Sequence, residues 1–248
     1  MLKKITTSNK SPSKALELYI NRYWTAYNPT NEQIEVPIVP DGCMDIIWKD
    51  GYLFLSGLME LADVITIEPH ERYFGIQFKP YALALLLGED VSKFNNQSIS
   101  LDSINDTLKS KMSKLIESSE PYDALDEYFA KFFFEKVVEP KLVMAVKIIR
   151  DSYGNVSVTD LVDRLEMHPK KLERLFVPRM GVSVKKFSKI VRFHEVHKVL
   201  SEEGLENLSS KVLEKGYFDQ AHFNRDFKKL TGLKPSSKLM SILYNTKA

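Results

Sequence analysis

Apolar positions in the first eighty residues fall in short runs broken by turn formers. Residues 34–39, 44–48, 53–56, 64–67 and 73–78 are rich in β-branched and aromatic side chains and bounded by Gly, Asp or Pro, which predicts strands. Pro40-Asp41-Gly42 predicts a turn, since Pro presets φ, Asp bonds nearby backbone and Gly takes positive φ. Beyond Pro80 the period lengthens. A short buried helix is expected over 81–87, stopped by Gly88, followed by amphipathic helices over 102–116 and 122–138. The last is crowded with Tyr128, Phe129, Phe132 and Phe133, a broad apolar face, and Pro140 closes it. From Lys141 the pattern is helical throughout: Leu142, Ala145, Val146 and Ile149 repeat at helical spacing before Gly154-Asn155. The expected fold class is α+β, with a β-rich unit over 1–139 and an all-α unit over 140–248.

Charge sharpens that division. The whole chain carries only +2. Residues 1–140, however, hold 14 Lys and Arg against 21 Asp and Glu, a net of −7, whereas residues 141–248 hold 21 against 12, a net of +9. A basic C-terminal unit beside an acidic one points to a polyanion as partner, although charge alone says nothing of fold. A single cysteine, Cys43, excludes an internal disulfide framework and a thiolate-rich metal cage. Met1 to Lys14 lacks the apolar stretch of a secretory signal, and the run 81–87 is too short to span a bilayer. A cytoplasmic protein without membrane contact is expected.

Two stretches of the basic half share one design. Residues 158–165 and 208–215 each read as a short helix, 166–167 and 216–218 as a tight turn, and 168–176 and 219–227 as a second helix. Pro169 suits the first helical position of one second helix, and Asp219 suits the N-cap of the other. Leu172, Leu175 and Phe176 face inward in the first, Phe223 and Phe227 in the second. Lys170, Glu173 and Arg174 are left for the outer side of one helix, and Gln220, Ala221, Asn224 and Arg225 for that of the other. Arg pairs bidentately with guanine, Asn and Gln pair with adenine, and Glu accepts from cytosine, so these are groups able to read base edges. Lys171, Lys185, Lys228, Lys229 and Lys234 are expected on phosphates, supplying affinity without sequence choice.

The run Gly216-Tyr-Phe-Asp-Gln-Ala-His-Phe-Asn-Arg-Asp-Phe-Lys-Lys-Leu-Thr-Gly232, with Pro235 three residues on, resembles the second-motif signature of the AraC/XylS transcription regulators. Leu172-Glu-Arg-Leu-Phe176, Met180-Gly181 and Arg192-Phe193 fall where that family has its first motif and connecting helix. The resemblance covers roughly 100 residues and goes well beyond a lone short pattern. It implies a sequence-specific regulator whose helices 169–177 and 219–230, joined by a central helix over 187–200, enter successive major grooves about one helical turn apart. Lys211 and Val212 depart from it, standing where the family has an apolar residue followed by Ala. An inward Lys is costly unless its stem lies along apolar surface with the ammonium in water, so the docking of the second motif comes into question.

In the first half, Tyr23-Trp24, Val39-Pro-Asp-Gly-Cys-Met-Asp-Ile-Ile-Trp48, Ser56-Gly57 and Gly75-Ile-Gln-Phe-Lys-Pro80 are similar to an uncharacterised N-terminal domain of some AraC-type regulators. That implies a sensing or dimerising module. Trp24, Trp48, Tyr52 and Phe78 are candidates for a small-molecule effector pocket, with ordinary core packing as the competing reading. The helices 102–116 and 122–138 are candidates for a homodimer interface, with packing on their own sheet as the alternative. No metal or cofactor is expected: only His70 precedes residue 141, and His194 with His197 offers two ligands without a third. An enzyme is not expected either. A DNA alkyl-transfer activity of the kind fused to such domains needs an activated cysteine, and Cys43 reads as a small buried hydrophobe. An architectural protein binding DNA with little sequence preference is the remaining alternative.

Overall fold

The computed structural model describes residues 5–203 and 208–232. A six-stranded antiparallel sheet dominates the first part, built from β1 (Thr6–Lys10), β2 (Ile20–Tyr27), β4 (Met44–Lys49), β5 (Tyr52–Ser56), β7 (Arg72–Phe78) and β8 (Ser98–Ser100) in the order β1-β2-β7-β4-β5-β8. β3 (Ile34–Ile38) and β6 (Asp63–Ile67) pair separately as a two-stranded ribbon. All five strands expected from the apolar runs form. β1, β2 and β8 are additional: β1 is Thr-Thr-Ser-Asn-Lys and wholly exposed, so no hydrophobic alternation marks it. In β2 an irregular register between Ile20 and Arg22 breaks the period.

Alternation along the strands sends Met44, Ile46, Leu53, Leu55, Phe74, Ile76 and Phe78 to one face, where all are buried. Helices α1 (Pro80–Leu87), α2 (Leu101–Ile116) and α3 (Pro121–Phe133) belong to the same core through Leu83, Leu108, Met112, Leu125 and Phe129. Each such side chain contributes about 1.5–3 kcal/mol on leaving water. Aromatic contacts close the layer: Phe78 meets Phe129 edge-on at 5.3 Å, and Tyr19 stacks on Phe133 at 4.1 Å. The helix expected to run to 138 stops at Phe133, and Phe134, Glu135, Lys136 and Val137 are exposed before Val138 re-enters the core. With residues 134–137 exposed, no buried apolar side holds a further helical turn in place.

The remaining helices are α4 (Pro140–Asp151), α5 (Val158–Arg164), α6 (Pro169–Met180), α7 (Val184–Glu203), α8 (Leu208–Glu214) and α9 (Gln220–Thr231). The architecture is thus a strand-rich first part followed by a helical one, as predicted. The apolar interior divides elsewhere. One cluster runs unbroken from Leu16 to Val191, while Phe193, Val196, Leu200, Val212, Tyr217, Phe223, Phe227 and Leu230 form a second. α7 spans both, and at 20 residues it is about 30 Å long.

Candidate nucleic-acid interface

The two short helices α5 and α8 end in the same way. Glu166 (φ 47°) and Gly216 (φ 83°) take the left-handed conformation, and Met167 N–H and Tyr217 N–H reach back to the carbonyls of Val162 and Val212, each at 3.0 Å. These hydrogen bonds close a left-handed cap that turns the chain sharply into the next helix. His168 then caps α6 by accepting from Lys170 N–H, and the Asp219 carboxylate caps α9 by accepting from His222 N–H. Counting from each cap, Arg174 and Arg225 occupy equivalent positions, as do Lys170 and Ala221, and Glu173 and Asn224. Leu172, Phe176 and Met180 anchor α6; Phe223, Phe227 and Leu230 anchor α9.

The outer surfaces follow from that anchoring. Lys170, Lys171, Glu173 and Arg174 are exposed on α6, and Gln220, Ala221, Arg225, Lys228 and Lys229 on α9; Lys185 is exposed near the start of α7. Asn224 differs from the sequence expectation. It is half-buried, with its Oδ1 covered and without a hydrogen-bond partner among the described residues, while Gln220 Oε1 accepts from Ser209 Oγ at 2.9 Å. The outward centre of α9 is therefore Ala221 and Arg225, because Asn224 lies a quarter-turn toward the core. Lys234 lies outside the described residues. Lys211 is accommodated by pairing and not by reaching water: the side chain is largely covered, and Nζ pairs with Glu203 Oε2 at 3.3 Å beside the end of α7. Val212 is fully buried in the second cluster.

A joint missing from the sequence reading links the two motifs. Arg192 donates to the Gly154 carbonyl at 2.6 Å and lies over the Tyr217 ring, and Asn155 Nδ2 donates to the Lys215 carbonyl at 3.1 Å. Gly154 must lack a side chain here, because a Cβ would sit 2.0 Å from the Ser188 carbonyl oxygen. Residues 153–155 thus press the loop after α4 against the turn of the second motif.

The four aromatic pocket candidates do not line one cavity. Trp48 and Phe78 lie on the core face, whereas Trp24 lies on the opposite face over Gly75, where a Cβ would come within 1.9 Å of the indole; Tyr52 on that same face is 77% exposed. Strand pairing decides this, since Trp24, Gly75 and Ile47 are in register. A small cleft of about 180 Å³ is lined instead by Tyr81, Leu85, Val137, Val138, Glu139, Pro140 and Arg179. The expected dimer helices spend their apolar sides on their own sheet, through Leu108, Met112, Leu125 and Phe129. Among the described residues no group of His, Cys, Asp and Glu is placed to hold a metal ion, and no helix is long and apolar enough to cross a membrane.

The Pro40-Asp41-Gly42-Cys43 turn faces the helical part. Arg150 Nη2 donates to the carbonyls of Asp41 (3.4 Å) and Gly42 (3.3 Å) while its guanidinium lies over Phe187 of α7. A Cβ on Gly42, at φ 75°, would stand 2.8 Å from that ring. Cys43 is buried, and burial, reinforced by Asp41, pushes its thiol far above the usual range. Asp45 accepts from Trp24 Nε1 at 2.7 Å, yet burial and then the Asp41 charge push its carboxyl up to about 7. On α7, burial pushes His197 down to about 4 and also lowers His194.

Residues 161–239 match the family model of a helix-turn-helix domain, of AraC type. The chain carries an AraC-type DNA-binding domain. Residues 9–100 match a second family, a domain of unknown function (DUF6597), whose span takes in the Pro-Asp-Gly-Cys turn and the whole six-stranded sheet except its outermost residues. The AraC-type domain makes the chain a DNA-binding regulator. Among solved structures the chain is similar to ToxT from Vibrio cholerae O395, at 10% identity and TM-score 0.45 over 98% of each chain. It is also similar to a second crystal form of Vibrio cholerae ToxT, at 11% identity and TM-score 0.46 over 96% of this chain and 97% of that one. A third is wild-type ToxT from strain SCE256 bound to an unsaturated fatty acid, at 12% identity and TM-score 0.41 over 100% and 95%. No curated protein matches the chain.

Proposed function

We propose that this regulator binds a specific bipartite DNA site, with α6 and α9 entering successive major grooves. The observation that carries the reading is the equivalence of Arg174 and Arg225: both sit at the same distance from their helix caps, exposed, on helices whose opposite sides are locked into separate cores. Lys170, Glu173, Gln220, Ala221 and Asn224 surround them as further base-edge candidates, with Asn224 requiring a rotamer change to present its amide. Lys171, Lys185, Lys228 and Lys229 flank the two helices as phosphate contacts, and Lys234 is assigned the same role from its place in the sequence alone. The working unit in this reading is one chain, since two motifs in one molecule supply both half-elements and α2 and α3 keep their apolar sides inside. The protein acts by binding and not by catalysis; a thiol held protonated and buried is no nucleophile. A small effector would act at the cleft beside Arg179, which joins α1 to the end of α6, although its volume is below the roughly 300–1,000 Å³ of drug-sized sites.

Selection of bound duplexes from a random pool tests the reading. The expected product has two half-elements about one helical turn, ~34 Å, apart. Arg174→Ala and Arg225→Ala should each cost about 1–3 kcal/mol and relax base preference in one half-element only. An unselected pool with strongly salt-dependent binding would replace the regulator with an architectural protein.

A further inference from the structure

Groove reading demands that α9 hold both its place and its direction relative to α6. The joint at Asn155 and Lys215 holds α9 near its start, through the turn that precedes it. Its other end is held from the opposite half of the molecule. Ala62 N–H donates to the Leu230 carbonyl at 2.6 Å, satisfying one of the last carbonyls that every helix leaves without an internal partner. Gln220 to Leu230 is ten residue steps, about 15 Å of helix, so the two ties set a direction and not merely a point.

The segment that supports the loop of Ala62 also holds α6. Gly181, the left-handed cap of α6, gives its carbonyl to Asn95 Nδ2 at 2.6 Å. The same Nδ2 lies 3.4 Å from Glu60 Oε1, and Glu60 Oε2 pairs with Lys186 of α7 at 2.9 Å. Residues 57–62 are in turn built into the strand-rich half. Glu60 N–H donates to Asn96 Oδ1 at 2.7 Å, Asn96 N–H to the Leu58 carbonyl, and Gly57 N–H to the Gln97 carbonyl. Gly57 fits only without a side chain, since a Cβ would stand 1.8 Å from the Phe94 carbonyl oxygen. One short loop and its support at Asn95–Gln97 therefore reach the C-terminal ends of both reading helices, which otherwise belong to separate apolar clusters joined by α7.

We propose that the segment 57–62, braced by Asn95, is a clasp that sets the separation and tilt of α6 and α9, making Glu60, Ala62 and Asn95 positioning residues for the spacing of the two half-elements. The inference rests on the bipartite reading above. A base pair added between half-elements moves one of them by ~3.4 Å and turns it by about a tenth of a revolution, which a clasped pair of helices cannot follow.

Binding by the full chain is measured on the selected bipartite duplex, on duplexes with one base pair inserted or deleted between half-elements, and on each half-element alone. For the unaltered protein the spacing change should weaken binding roughly ten- to a hundredfold, the range of a mismatched site. In Asn95→Ala combined with Ala62→Pro, which removes the donating N–H, that penalty should fall to about threefold or less, with affinity for each half-element alone unchanged. Glu60→Lys should act in the same direction, and adding Lys186→Glu should restore the penalty, an outcome that a general loss of folding cannot mimic. An unchanged spacing penalty in variants that still bind half-elements overturns the clasp and leaves the bipartite reading standing. Loss of all binding by the double variant, with the Glu60→Lys and Lys186→Glu pair failing to restore spacing preference, also overturns it. If the unaltered protein selects no bipartite site, the reading itself falls.

Discussion

Asp45 shows how a single buried group can set a pH response. It lies beside Trp24, Gln77 and the Asp41 turn, and its carboxyl titrates near 7 in the folded chain against an ordinary value of 3.8. A raised folded value means that the folded state holds the proton more tightly than the unfolded one. The associated stability is complete below about pH 4 and is lost as pH rises through about 7, a change on the order of 4 kcal/mol. Asp45→Asn should flatten the fall in unfolding free energy between about pH 4 and 7, measured by urea titration across that range. An equally steep fall in the variant would assign the slope to other groups. Arg150 is the complementary case on the helical side: its guanidinium ties the carbonyls of Asp41 and Gly42 to α7 and leaves no side chain at Gly42 to intervene.

At the scale of the element, a helix that reads bases must be stiff to its first turn. Asp219 gives α9 that property by accepting from His222 N–H, and Pro169 with His168 does the same for α6. Asp219→Ala should cost about 1 kcal/mol in chemical unfolding, and should weaken binding to the half-element read by α9 while sparing the one read by α6. Equal losses at both half-elements would show that the two motifs respond as one body. The left-handed caps at Glu166 and Gly216 are a further shared device. Glycine serves at one, and the other holds a glutamate in a conformation that costs an L-residue roughly 1–2 kcal/mol.

The whole molecule separates two jobs by charge. The strand-rich half carries a net −7 and repels a polyanion overall, whereas the helical half carries exposed Lys171, Lys185, Lys228 and Lys229 on and beside α6 and α9. Affinity for any duplex should therefore fall steeply with salt, by counterion release. Lys228→Ala and Lys229→Ala should each lower the slope of log affinity against log salt by about one, on specific and random DNA alike. A loss confined to the specific site would move either residue from phosphate to base.

What the sequence by itself determined about this protein is whatever repeats locally. The five apolar strands, the helix caps, the buried sides of α6 and α9 and the outward pair Arg174 and Arg225 all follow from a period of two or 3.6 residues and from cap chemistry next to it in the chain. The AraC-type domain was legible for the same reason, because its signature lies in one continuous run from Gly216 to Gly232. Tertiary structure alone decided the rest. It placed Trp24 and Trp48 on opposite faces of the sheet, since register is set by strands far apart in sequence, and it made a strand of the polar run Thr6–Lys10, whose partner is β2. It also turned Asn224 inward and brought Ala62 to Leu230. That last contact joins a backbone N–H to a backbone carbonyl, groups that nearly every residue carries, so no side-chain pattern could announce it.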